Sequence, residues 1–177
     1  LKDATGLGDD GLGGAGGAAP FITFSGSGSL GSVIESHYPL RDQVDVPRNT
    51  KIAVTFAEPI DPKSLIDDTN GNKTFGDCIS NDGKAIDWEK DCDRLKTDVV
   101  QIFPTDNADA LVAAAALTTA GGDGFFRSFV FRPLSLIGNE NDPVGYTIDL
   151  TEEIVKADGK TGVFENALGG HYLWNFK

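Results

Sequence analysis

The sequence predicts an all-β protein, and three observations carry that reading. Apolar and polar residues alternate at a two-residue period in several short runs, the pattern of strands with one buried face. Glycine, proline, asparagine and aspartate separate those runs, and these are the residues that turn a chain. Segments with helical spacing are few, apart from one alanine-rich stretch near residue 110. A length of 177 residues suffices for one well-buried domain with extensions and is short for two.

In chain order, residues 1–35 read as an N-terminal extension, a donor strand or a linker. Seven of the twelve positions from Gly6 to Gly17 are glycine, with Leu7 and Leu12 the only large side chains among them. In isolation such a segment is a flexible tail, and fixing it costs about 1–2 kcal/mol per residue of backbone entropy. Ala19-Pro20-Phe21-Ile22-Thr23-Phe24 is a short apolar β segment, and Ser25-Gly26-Ser27-Gly28-Ser29 is a hinge. Leu30–Glu35 reads as another short strand.

The stretch Val46–Leu65 organises the body of the chain. Ile52, Val54 and Phe56 alternate with Lys51, Ala53 and Thr55, while Pro47 and Asn49 precede them as turn residues. Pro59 and Pro62 cannot donate to a ladder, so the strand is expected to stop near Phe56. Lys63-Ser64-Leu65 reads as a single turn. In the polar turn Asp67–Thr74, Asp68, Asn70 and Asn72 stand at alternate positions, as at the start of a calcium loop. The glycine is misplaced and the distal glutamate is missing, so a plain turn competes with that reading. Asn72-Lys73-Thr74 is also a glycosylation sequon.

Phe75–Asp98 is charged and reads as a surface hairpin with Ile79, Ile86 and Trp88 as apolar contacts. Val99–Phe103 is a strand ended by Pro104. Asp106-Asn107 are expected to cap a short helix through Ala108–Leu117, which Gly121–Gly124 would end. Phe125–Phe131 and Tyr146–Leu150 read as strands, with turns at Asn139–Asp142 and Ala157–Lys160. Phe164 and Leu168 pin the loop after the second of those turns. Tyr172, Trp174 and Phe176 share one face of a final strand, a core stripe.

Three stretches resemble the bacterial Ig-like domains of S-layer and large surface proteins, the SbsA-type Ig-like family. They are VPRNTKIAVTFAEPIDPKSL, FVFRPLSLIGNENDPVGYTIDLTEEIVKADGKTG and the closing YLWNFK. The resemblance covers roughly Ser36–Lys177, with an unmatched insertion at about 67–127. It implies an Ig-like β-sandwich, to which the residues themselves add a Gly-rich N-terminal extension and one short helix in the insertion. It also implies a non-catalytic building or spacing module at the cell surface.

Cys78 and Cys92 are the only cysteines, and Asn81-Asp82-Gly83-Lys84 between them is a tight-turn signal. A hairpin there would bring the sulfurs together, and the habitat of the resembled family favours a disulfide over two free buried thiols. A disulfide implies an oxidising, extracytoplasmic compartment.

The formal charge of −12 argues against phosphate-backbone binding and against docking on anionic lipid. No run of 18 apolar residues reads as a membrane span. The chain starts at Leu1 without a methionine, which suggests a processed or excised segment. His37 and His171 are the only histidines and sit in no nucleophile or metal motif, and no phosphate-cradling loop is present.

The expectation is therefore a non-enzymatic extracellular subunit of a fibre, pilus-like filament or surface layer, built from copies of itself. Strand, hinge and body in that order would let Phe21, Ile22 and Phe24, extended by Leu7 and Leu12, pair head-to-tail with the next copy. Pairing of Phe21–Phe24 with its own domain is the alternative. Two other classes stay open: a tandem Ig-like spacer of a large adhesin or S-layer protein, and a carbohydrate-binding module using Trp88. No cofactor is expected beyond the calcium candidate.

Overall fold

The computed structural model describes residues 33–80, 83–167 and 169–177. They form nine strands and a 3-10 turn at Pro62–Ser64. The strands are β1 (Ile34–Tyr38), β2 (Ile52–Ile60), β3 (Ile66–Asp67), β4 (Arg94–Leu95), β5 (Val100–Pro104), β6 (Ala114–Thr118), β7 (Phe126–Pro133), β8 (Tyr146–Leu150) and β9 (Tyr172–Phe176). One sheet runs β1-β2-β7-β6-β4-β3 and the other β5-β8-β9, with every ladder antiparallel. The protein is an all-β sandwich.

The core follows from period-2 alternation. Ile52, Val54 and Phe56 of β2 are buried, and Ile52 and Val54 stand opposite Phe131 and Phe129 of β7. Phe56 meets Phe129 edge-to-face at 5.8 Å between ring centroids. From the other sheet, Ile102, Ile148 and Trp174 lie side by side across β5, β8 and β9, all fully buried. The stripe expected on the last strand is there: Trp174 and Phe176 are buried and Tyr172 packs against the core.

With the two-residue strands β3 and β4 set aside, the remaining strands match the constant-type immunoglobulin order. First, second, fifth and fourth (β1-β2-β7-β6) face third, sixth and seventh (β5-β8-β9). Tyr146, which opens β8, accepts a 2.7 Å hydrogen bond at its hydroxyl from the Gly138 N–H. This is the corner in which a tyrosine at the start of the sixth strand ties down the loop before it. The chain also changes sheets beside β1. After a cis Tyr38-Pro39 bond it runs parallel to β9, where Asp42 N–H donates to Asn175 O, Lys177 N–H to Gln43 O and Val46 N–H to Lys177 O. Those bonds cover an edge that would otherwise stand open.

Two local expectations are corrected. Ala108–Leu117 is not a helix: residues 108–113 are irregular, and Ala114–Thr118 is the strand β6. Alanine's helix preference is a few tenths of a kcal/mol per residue over strand-compatible residues. Against it stand the β6–β7 ladder and the burial of Ala114, Ala115 and Ala116, none more than 1% exposed. Small side chains are needed there because both faces of β6 are covered. The second correction concerns β2, which does not stop near Phe56 but continues through Pro59 to Ile60. Its pairing with β7 becomes irregular between Thr55 and Ile60, so no ladder bond is asked of Pro59 nitrogen. The Pro59 carbonyl instead accepts from Ala157 N–H.

The two ends of the sandwich are distinct. At one, the end of β2 is joined to Val155–Ala157 through a bridge between Ile60 and Lys156. At the other lie the loop after β1, the loop between β7 and β8, and the end of β9.

Candidate functional site

The first candidate is the loop between β3 and β4. Cys78 and Cys92 are joined by a disulfide, with their Cα atoms 4.0 Å apart. Ile79 N–H donates to Asp91 O and Asp93 N–H to Asp77 O, so a short ladder flanks the bond. Asn81 and Asp82 of the expected turn lie outside the described residues; Gly83 has φ +70°.

Asp93, next to Cys92, is fully buried and gathers the incoming arm of the loop. Its Oδ1 accepts from Thr69 N–H at 3.1 Å and Asn70 N–H at 3.5 Å. Its Oδ2 accepts from Gly76 N–H at 2.8 Å and Asp77 N–H at 3.4 Å. Burial pushes the Asp93 carboxyl above the usual carboxylate range, and the backbone N–H bonds oppose that rise without cancelling it.

The calcium candidates are brought together, but around backbone amides. Asp68 Oδ1 accepts from Gly71 and Asn72 N–H, and its Oδ2 from Lys73 N–H at 2.8 Å. Asn70 Oδ1 accepts from Asn72 N–H, and Asn72 Oδ1 from Thr74 N–H. Both side-chain amides donate to Asp77. Among the described residues no group of three or more His, Cys, Asp or Glu is placed to hold a metal ion. The sequon nitrogen, Asn72 Nδ2, is one of those donors. Sequence reading missed Asp77 and Asp93, whose only signal is that each adjoins a cysteine.

Trp88 is half-buried, and the Arg132 guanidinium lies over its ring at 3.8 Å from the centroid, so one face of that platform is occupied. Arg132 itself stands opposite Ala115 in the β6–β7 ladder.

The histidines are tied to structural neighbours. His37 Nδ1 bonds the Pro39 carbonyl at 2.8 Å while its ring packs on Trp174 at 4.4 Å. Burial holds its pKa below the ordinary 6.5, aided by the nearby Arg41 charge and opposed by the Pro39 bond. His171 Nδ1 lies 3.2 Å from Asp149 Oδ1.

The second candidate is a cleft of about 440 Å³ at the end of the sandwich where β9 finishes. Val44, Val46, Ile137, Val144, Tyr146 and Phe176 supply its apolar wall, and Asp45, Arg48, Asn139, Glu140, Asn141, Asp142 and Lys177 make the rest of the lining polar. Two loops are stapled to form it. Ile137 N–H donates to Arg48 O at 3.0 Å, Arg48 Nε donates to Ile137 O at 3.1 Å, and Arg48 faces Glu140 at 3.5 Å. Val44 is 62% exposed there, and Leu136, beside Ile137 in the chain, is 60% exposed. None of these residues was singled out from sequence as a site.

Leu7, Leu12, Phe21, Ile22 and Phe24 lie outside the described residues. The described residues supply all seven strands of the frame. Comparison with protein-family models, curated proteins and solved structures found no match to the chain. Among the described residues no helix is long and apolar enough to cross a membrane.

Proposed function

We propose that this chain is a non-enzymatic structural module of an extracellular fibre or surface layer, as its resemblance to bacterial surface Ig-like domains implies. The observation that carries the reading is the complete seven-strand sandwich whose first and last strands meet the solvent at opposite ends. Such a module passes force or distance from one end to the other and can be repeated end to end. Antiparallel ladders pulled at opposite ends load many hydrogen bonds together, which suits a spacer under tension. The Cys78–Cys92 bond supports an oxidising compartment outside the cytoplasm. Between the modes of joining, a self-sufficient frame favours modules in series over donation of a missing strand.

Electron microscopy of the native source material tests this reading. A fibre or layer with a repeat matching one sandwich length is expected, labelled by an antibody against the chain. Antibody label confined to the cytoplasm, or turnover of a small-molecule substrate by the purified protein, would overturn it.

A further inference from the structure

We infer that the cleft lined by Val44, Val46, Ile137, Val144 and Phe176 is the seat for the Ala19–Phe24 segment of a second copy of this chain. This rests on the reading that modules join end to end, and it adds the joint.

Three facts lead to it. The cleft opens at the end where β9 finishes, whereas β1 begins at the other end, where Val33 lies beside Phe56 and Lys156. The body therefore begins at one end and carries a recess with an apolar wall at the other. Next, the recess has the size of sites that bury a ligand, about 300–1,000 Å³, and Val44 stands in it with 62% of its surface exposed. The uncharged Ala19-Pro20-Phe21-Ile22-Thr23-Phe24 is the one strongly apolar run in residues 1–32, and Ser25–Ser29 joins it to the body. Finally, the frame already has its seven strands, and the leader is assigned to the neighbour's cleft as a plug. Phe21 and Phe24 are its anchors, since aromatic side chains in a desolvated pocket dominate such contacts. The contact is heterologous: each joint leaves a free leader and a free cleft, so the array stays open.

The test uses the 177-residue chain and two variants, Val44→Asp and Phe24→Asp, followed by sedimentation velocity over the soluble concentration range. Val44 lies on the surface, so its substitution leaves the core intact. The wild-type chain is expected to form a concentration-dependent ladder of oligomers. Each variant alone should weaken association about tenfold or more, because a carboxylate must then be desolvated in the joint. The mixture decides direction. Val44→Asp retains a leader and Phe24→Asp retains a cleft, so together they should form one-to-one pairs that grow no further. A monomeric wild type overturns the inference, since the leader then fills its own cleft or none. So does undiminished association of Val44→Asp, or a mixture that stays monomeric or grows beyond pairs. Any of these leaves the module reading untouched, because modules joined by a continuous chain need no plug; microscopy of the source material decides that reading separately.

Discussion

Gly76→Ala is the sharpest test of how the disulfide loop is held to the sandwich. Gly76 has φ +81°, and a Cβ there would stand 2.5 Å from Thr118 Cγ2, 2.7 Å from Thr118 N and 3.1 Å from Ile66 Cδ1. The left-handed conformation costs a non-glycine residue about 1–2 kcal/mol. The overlap with a backbone nitrogen cannot be relieved by a rotamer, and such overpacking costs about 1–3 kcal/mol. If the loop retreats instead, it gives up Gly76 N–H to Asp93 Oδ2 at 2.8 Å and Thr118 N–H to Gly76 O at 2.9 Å, roughly 1 kcal/mol or more each. Against this, alanine lowers the entropy of the unfolded chain by about 0.4–1 kcal/mol. The net loss expected is about 1–5 kcal/mol, measured as the shift in urea midpoint of the oxidised protein at constant slope. Thr118→Ser removes the Cγ2 overlap but not the one with nitrogen, so the double variant should recover only part of the loss. A Gly76→Ala loss below about 1 kcal/mol would refute the packing of this loop on β6, as would full recovery in the double variant.

Replacing Cys78 and Cys92 together by serine should destabilise the protein by about 3 kcal/mol in urea unfolding, the value for closing a loop of this size. Unchanged stability would mean that the loop is equally constrained without the bond. Tyr146→Phe keeps the ring stacked on Phe176 but leaves Gly138 N–H without its acceptor, so a loss of about 1–3 kcal/mol is expected, with faster hydrogen exchange at Gly138. His37 has a folded pKa below 6.5, so its contribution is complete above pH 6.5 and is lost as pH falls through the folded value. The urea midpoint of the wild type should therefore drop between about pH 7 and pH 5 by more than that of His37→Gln. Equal drops would place the titration elsewhere.

Much of the frame is legible without coordinates. Ile52, Val54 and Phe56 announce a half-buried strand, and Tyr146–Leu150 and Tyr172–Phe176 fall where their alternation puts them, because period-2 burial is a local signature. The Cys78–Cys92 bond is favoured by the turn signal between the cysteines together with the resembled family's habitat, and the structure shows it. The candidate sites are another matter. Asp93 is an ordinary aspartate in a charged run until four amides from residues 69–77 converge on it. Val44 and Ile137 lie far apart in the chain and share a cleft only once Arg48 staples their loops.

What the amino-acid order determined by itself is the all-β class and the central strand positions, each written in spacing over a few residues. Tertiary structure alone decided that Ala114–Ala116 extend instead of coiling, that Pro59 lies within a strand, and that a cleft forms at one end. Local preferences are worth tenths of a kcal/mol per residue, whereas a ladder to a distant strand and complete burial are worth several times that. Where the two conflict, the long-range terms prevail, and they depend on partners that no local window contains.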